Sequence, residues 1–331
     1  MSDTEVLMAM QEFFPAGNER SFGAIAALTA EEVATKLGFC GVGEQDRAEV
    51  AAQWEKFKSE ADLVELLAAI DTWLEVNLGK PQPDFPIWDD LFERGASGRY
   101  LYLYAAAMGV DRVSKYFHSI GVSQVVISAT LQVVPRHLTI YKKKWNHIGT
   151  DAGWWQLLTL RGVLLQCGSL QFHRLELGSS ILAPHPWYDE AKAQELGPGF
   201  QPGDEIFGIH IPQGTDLSPS AVDQSLNSAR VLLESIWPSE KQRLFTLQSW
   251  LLDPQLRKFL KPESNIVRLQ NRFTLLEGAP IADEDTLEFV FRRPGVALED
   301  LPRNSSLERA VLSVLESGGH WHAVAGWSNE H

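Results

Sequence analysis

This sequence predicts an α+β protein in two parts, a helical N-terminal domain over residues 1–145 followed by a mixed β-sheet domain over 146–331. Three observations carry the prediction. Apolar residues over positions 1–140 recur at helical spacing with little strand-type alternation. After Gly149, strand-like runs alternate with helical ones. Finally, 204–237, DEIFGIHIPQGTDLSPSAVDQSLNSARVLLESIW, reads as a strand, a tight Pro/Gly turn and a long amphipathic helix.

In chain order, Thr29 and Glu32 form a capping box that opens a helix, and Gly38 is placed to close it. Residues 61–78 make a second helix, with Leu63, Leu66, Leu67, Ile70, Trp73 and Leu74 on one side and Gly79 just past its end. Pro81, Pro83 and Pro86 form a rigid connection to a helical segment over 88–108. Within it, Tyr100, Tyr102 and Tyr104 alternate as on a strand, but the run from Ala105 to Met108 favours a buried helix. A further helix over 122–144 is expected to kink near Pro135.

Beyond Gly149, residues 162–177 read as a hairpin turning at Cys167-Gly168-Ser169. Four prolines and four glycines make 178–203 a loop, expected to wall a cleft with Trp187. Strands follow at 205–211 and 243–251, separated by a helix to 237, and a parallel crossover joins the strand at Ile209 to that at Leu247. Short helices at 254–260 and 265–273, a strand at 287–292, a helix at 305–317 and a last strand at 320–327 complete the chain.

At 44% hydrophobic and 22% charged over 331 residues, the chain has ample material for a packed core. A net charge of −14 disfavours sequence-independent nucleic-acid binding, whose affinity comes from neutralising phosphates. Basic residues nonetheless cluster at Lys142–Lys144 and at Arg257, Lys258, Lys261, Arg268 and Arg272, a pattern that suits a small polyanion or a solvated helix face. No apolar run reaches the ~18 residues of a membrane span. The acidic start and the two cysteines point to a cytoplasmic protein with free thiols.

A strand feeding a turn at a helix N-terminus gathers unpaired N–H groups and the positive end of a dipole, which suits a phosphate or pyrophosphate. His210, one residue before Ile211-Pro212, is the best general-base candidate, set against a histidine that merely bonds the turn. His320 and His322 share a strand face as in some zinc sites, but no third ligand lies near in sequence, so no metal is expected. Cys167 with His173 or His210 could form a Cys–His pair, without a sequence-near base to activate the thiol.

The element order from about residue 150 resembles the GNAT acetyltransferase fold. Individual stretches are similar to a family of two-domain bacterial proteins with a helical N-terminal domain and a GNAT-like C-terminal domain: G-S-L-Q-F at 168–172, H-I-P-x-G at 210–214, Ser225-Leu226, S-W-L-L-D-P at 249–254, S-N-I at 264–266 and S-L at 306–307. This resemblance implies an acyl-CoA-dependent N- or O-acyltransferase acting on a small-molecule acceptor by direct attack, with no metal and no membrane or nucleic-acid partner. His210 and Ser249 would then be catalytic. Ile209, Ile211, Gln213, Gly214 and Thr215 would hold the CoA backbone and pyrophosphate, and Trp187, Phe207 and Asn265 would face the substrate. The chain departs from typical enzymes at the turn, where Gln213-Gly214-Thr215-Asp216 replaces Arg/Gln-x-x-Gly-x-Gly/Ala, and at Leu247-Gln248, where related members often carry Cys-His. Those departures motivate the alternative of a catalytically degenerate GNAT-like domain that binds a small molecule or protein. A third reading gives the helical domain a scaffolding role.

Overall fold

A computed structural model describes residues 2–81, 91–150, 152–177, 200–238, 244–293 and 295–328. Two compact units divide the chain, residues 1–80 with 85–165 and residues 81–84 with 166–331. The expected loop around Trp187 and most of the proline connection at 81–86 fall outside the described residues.

The first unit is helical throughout its described residues. The capping box of Thr29 and Glu32 is formed and opens the helix Ala30–Phe39, which runs one residue past Gly38. Ala61–Val76 buries Leu63, Leu66, Leu67, Ile70 and Leu74 completely, and Gly79 follows in the left-handed region. The tyrosines at 100–104 are buried at the start of the helix Leu101–Ser119, where Tyr104 donates to the Val50 carbonyl. The helix expected over 122–144 is two helices, Gln124–Leu131 and Val133–Trp145, and the break falls at Gln132 rather than Pro135. Pro135 sits in the first turn of the second helix, where its missing N–H costs nothing. No helix among the described residues is long and apolar enough to cross a membrane.

The second unit is built on a six-stranded sheet of order β1-β2-β3-β4-β6-β5, with β1 at Leu164–Cys167, β2 at Leu170–Glu176, β3 at Glu205–His210, β4 at Phe245–Ser249, β5 at Thr274–Leu275 and β6 at Val324–Ser328. The hairpin forms as its turn residues predict, with Gly168 at φ +60°. Strands β2 and β3 are antiparallel, β3 and β4 parallel, and β6 antiparallel to both β4 and β5. One face carries Phe172, Phe207 and Phe245, with Trp237, the residue closing the helix Pro219–Ile236, stacked on Phe207. The other face carries an apolar core of Leu175, Ile206 and Ala325 packed with Leu244, Leu276 and Ala282.

Three expectations are corrected. The strand at 287–292 is instead the helix Asp283–Phe291: Asp283, Glu284 and Asp285 fill its first turn, where they complement the dipole, and Phe289 points to solvent. The last strand begins at Val324 and not at residue 320, because Asp283 holds the Trp321 amide and Asp253 holds the His322 amide outside the ladder. The strand ending near 251 stops at Ser249, whose hydroxyl accepts the Leu251 amide and turns the chain into the 3-10 helix Trp250–Leu252.

Candidate active site

Strands β3 and β4 pair at three positions, Phe207↔Phe245, Gly208↔Thr246 and Ile209↔Leu247. Past that point each keeps its outer partner: His210 stays opposite Gln171, while Gln248 and Ser249 stay opposite Ala325 and Val324. Parallel strands that stop pairing with each other while held on their outer sides leave a gap between their carboxyl ends, where open sheets bind ligands. Alternate residues of a strand face the same neighbour, so Ile209 is the last residue of β3 in this ladder and Ile211 the next to face the gap.

Side-chain alternation places His210, Gly208 and Ile206 on one face with Gln171, His173 and Leu175 of β2 and with Thr246 and Gln248 of β4. Away from the gap this face is the apolar core. Toward the gap it turns polar, with Gln171, His173 and Thr246 buried and His210 and Gln248 half-buried. The rings of His210 and His173 lie 5.7 Å apart, tilted by 38°. His210 is half-buried as a residue, but its Nε2 is shut off from solvent, and the surrounding protein strips water from the ring, which lowers its pKa to about 3. The imidazole is therefore neutral near pH 7, with a lone pair to accept a proton.

Pro212–Thr215 is a turn closed by the Thr215 amide on the Pro212 carbonyl, with Gly214 at φ +77° and both Gln213 and Gly214 exposed. The Thr215 hydroxyl donates to the Pro212 and Ser169 carbonyls, tying the turn to the β1–β2 hairpin. At the start of the helix Pro219–Ile236, the Asp216 carboxylate accepts from the Ser218 amide and hydroxyl. Further along, the Ser225 hydroxyl accepts the Ser169 amide and sits where a Cβ on Gly168 would collide with it.

The remaining candidates lie elsewhere. Phe207 lies on the face opposite His210 and is buried against Trp237 and Phe245. Ser249 also lies on that opposite face, its hydroxyl occupied as a cap. Asn265 is exposed in the first turn of the helix Asn265–Gln270, which Ser264 caps. Trp187 lies outside the described residues. Burial pushes the Cys167 thiol up to about 12, which removes it as a nucleophile. His320 and His322 bond to different carboxylates, Asp283 and Asp253, and no cluster of three or more metal-ligating side chains occurs among the described residues. The sequence points to His173 and Gln171 only through the alternation of L-Q-F-H-R-L, which puts both on one face; the register that brings them to His210 is a long-range feature of the sheet.

A mixed sheet whose central parallel pair is followed by a turn and a helix is the arrangement of GNAT-like acyltransferase folds. Residues 164–328 match the model of the GNAT-like C-terminal domain, and residues 31–162 match that of the N-acyltransferase N-terminal domain. The chain is thus a member of the two-domain GNAT-like acyltransferase family. It is similar to solved structures over its whole length. A mutant acyltransferase in complex with octanoyl-CoA is 28% identical, with 99% of each chain covered and a TM-score of 0.77. An acyltransferase in complex with CoA and 10C-teicoplanin is 28% identical, again with 99% of each chain covered, at a TM-score of 0.75. An acyltransferase in complex with decanoyl-CoA is 26% identical, with 100% of each chain covered and a TM-score of 0.77. Among curated proteins, no sequence matches.

Proposed function

We propose that this protein transfers an acyl group from acyl-CoA to an amine or hydroxyl of a small-molecule acceptor, by direct attack and with His210 as general base. The observation that carries this reading is the end of the β3–β4 ladder at Ile209↔Leu247, with His210 at the mouth of the resulting gap. Solved relatives of the same length carry octanoyl-CoA, decanoyl-CoA and CoA, and two of them a teicoplanin. The Ile211 backbone would pair with the pantetheine arm, and Gln213, Gly214 and Thr215 with the following helix start would receive the pyrophosphate. The acceptor nitrogen or oxygen attacks the thioester carbon while its proton passes to His210. The C–S bond breaks, and the departing CoA thiolate takes up that proton. Backbone N–H groups at the gap would polarise the thioester carbonyl as charge develops on its oxygen.

Two residues leave the site in this reading. Phe207 supports the sheet from its other face, and Ser249 shapes the strand end as a cap. Calorimetric titration with decanoyl-CoA and CoA tests the binding half of the proposal, and the reading fails if neither binds below millimolar concentration. The catalytic half is tested by following thiol release from decanoyl-CoA with a panel of small amines and alcohols. His210→Ala is expected to lower turnover by about 10²-fold or more, with decanoyl-CoA affinity little changed.

A second reading, a GNAT-like module that binds acyl-CoA without turning it over, draws support from the Asp216 carboxylate at the helix start, where it opposes a phosphate. Binding without thiol release from any acceptor would favour it. Turnover that is lost in His210→Ala would exclude it.

A further inference from the structure

We infer that His173 is a positioning residue for His210: it seats the ring of the base and stabilises the imidazolium formed as the base takes the acceptor's proton. The inference rests on the acyl-transfer reading above and deepens it. Its ground is geometric. His173 is fully buried on the sheet face that carries His210, and the two lie on neighbouring antiparallel strands, His173 opposite Gly208 and His210 opposite Gln171. Side chains on such a diagonal start ~7–8 Å apart. Ring centroids at 5.7 Å mean that the two imidazoles lean together.

The residue opposite His173 is Gly208, where a Cβ would collide with Leu175 Cδ2 at 2.7 Å while making ordinary contacts with His210 Nε2 at 3.6 Å and His173 Cβ at 3.9 Å. The glycine thus gives Leu175 its room, and the two rings pack beside it.

Chemistry gives the second histidine a purpose. His210 is neutral in a desolvated setting, ready to accept a proton but poorly placed to keep the charge. A second imidazole held against it offers a π face and a ring dipole to the cation, and both count for more where water is excluded.

The test compares wild type, His173→Phe, His173→Gln and His210→Ala. Decanoyl-CoA affinity is measured by calorimetry, turnover by thiol release with the acceptor panel, and the ring tautomer of His210 by nitrogen NMR of histidine-labelled protein saturated with decanoyl-CoA. His173→Phe keeps a ring and removes its nitrogens. It is expected to lower kcat about tenfold, leave KM for decanoyl-CoA within about twofold, and shift the His210 ring signals. Gln, which restores a polar group, recovers part of kcat. If the Phe variant does not fold, the Gln variant decides by the same split of kcat against KM. Wild-type kcat and unchanged His210 signals in His173→Phe overturn the inference while leaving the acyl-transfer reading intact. Parallel losses of kcat, affinity and melting temperature in both His173 variants also overturn it, as a purely structural role. A wild-type protein that binds no decanoyl-CoA, or a His210→Ala variant with full turnover, overturns the acyl-transfer reading itself.

Discussion

Gly168 and Ser225 lie far apart in sequence and touch in the fold. The glycine takes φ +60° at the β1–β2 turn, and the serine hydroxyl fills the place its Cβ would occupy while accepting the Ser169 amide. Both residues belong to stretches legible in the sequence as family-like, but their reason is this contact, which no spacing rule reveals. Gly168→Ala combines backbone strain with a clash at 2.6 Å and is expected to cost about 1–3 kcal/mol. Ser225→Ala, which leaves a part-buried N–H without its acceptor, should cost about 1–2 kcal/mol. Urea denaturation checks both, and a change below ~0.5 kcal/mol in either would deny the contact its role. His210 allows a sharper check. Its pKa stands at about 3 against an ordinary value near 6.5 in the unfolded chain. Between those values, the unfolded chain takes up a proton that the native ring refuses, so stability falls as pH drops through that window and is unaffected above it. His210→Phe removes this contribution, and its stability relative to wild type should rise from pH 7 to pH 4. Parallel stability curves would contradict the desolvated ring.

Among elements, those marked by local signals were legible, and those settled by distant contacts were not. Capping residues marked Ala30–Phe39, whose box at Thr29/Glu32 is formed, because capping is decided by residues three apart. The helix Ser306–Glu316 proves to carry the same kind of box, at Ser305/Glu308. The hairpin and the parallel β3–β4 crossover were likewise readable. The segment 283–291 misled because Leu287, Phe289 and Phe291 alternate, while the acidic first turn that made it a helix carried the weaker pattern. The limits of β4 and β6 depended on long-range hydrogen bonds. Asp253, almost fully buried, accepts from the amides of Gln255 and His322 and thereby ties the end of β4 to the start of β6. Asp253→Ala leaves those donors without their acceptor and is expected to cost about 2–4 kcal/mol by denaturation. Asp216 makes a functional prediction at the same scale. Asp216→Asn keeps an oxygen for the Ser218 amide and removes the charge at the helix start. If the pyrophosphate sits there, CoA affinity should rise by about twofold to fivefold. Unchanged or weaker binding by calorimetry would move the pyrophosphate away from this turn.

For the molecule as a whole, the sequence disclosed a helical part and a sheet part. It could not disclose where a ligand rests, since a gap between strands is a matter of register: the ladder ends at Ile209↔Leu247 because β2 and β6 hold the outer sides of β3 and β4 onward. This makes the location of the ligand a question for the entire chain. A ligand that binds only the native state stabilises it by about 2.7 kcal/mol at a concentration of 100 Kd. Hydrogen exchange, measured across the protein with and without saturating decanoyl-CoA, shows which elements receive that stabilisation. If the acyl-CoA lies in the gap, amides of β3, β4 and the first turns of Pro219–Ile236 should slow the most. Slowing that spares β3, β4 and the first turns of that helix would take the ligand out of the gap and end the candidacy of His210 as the base.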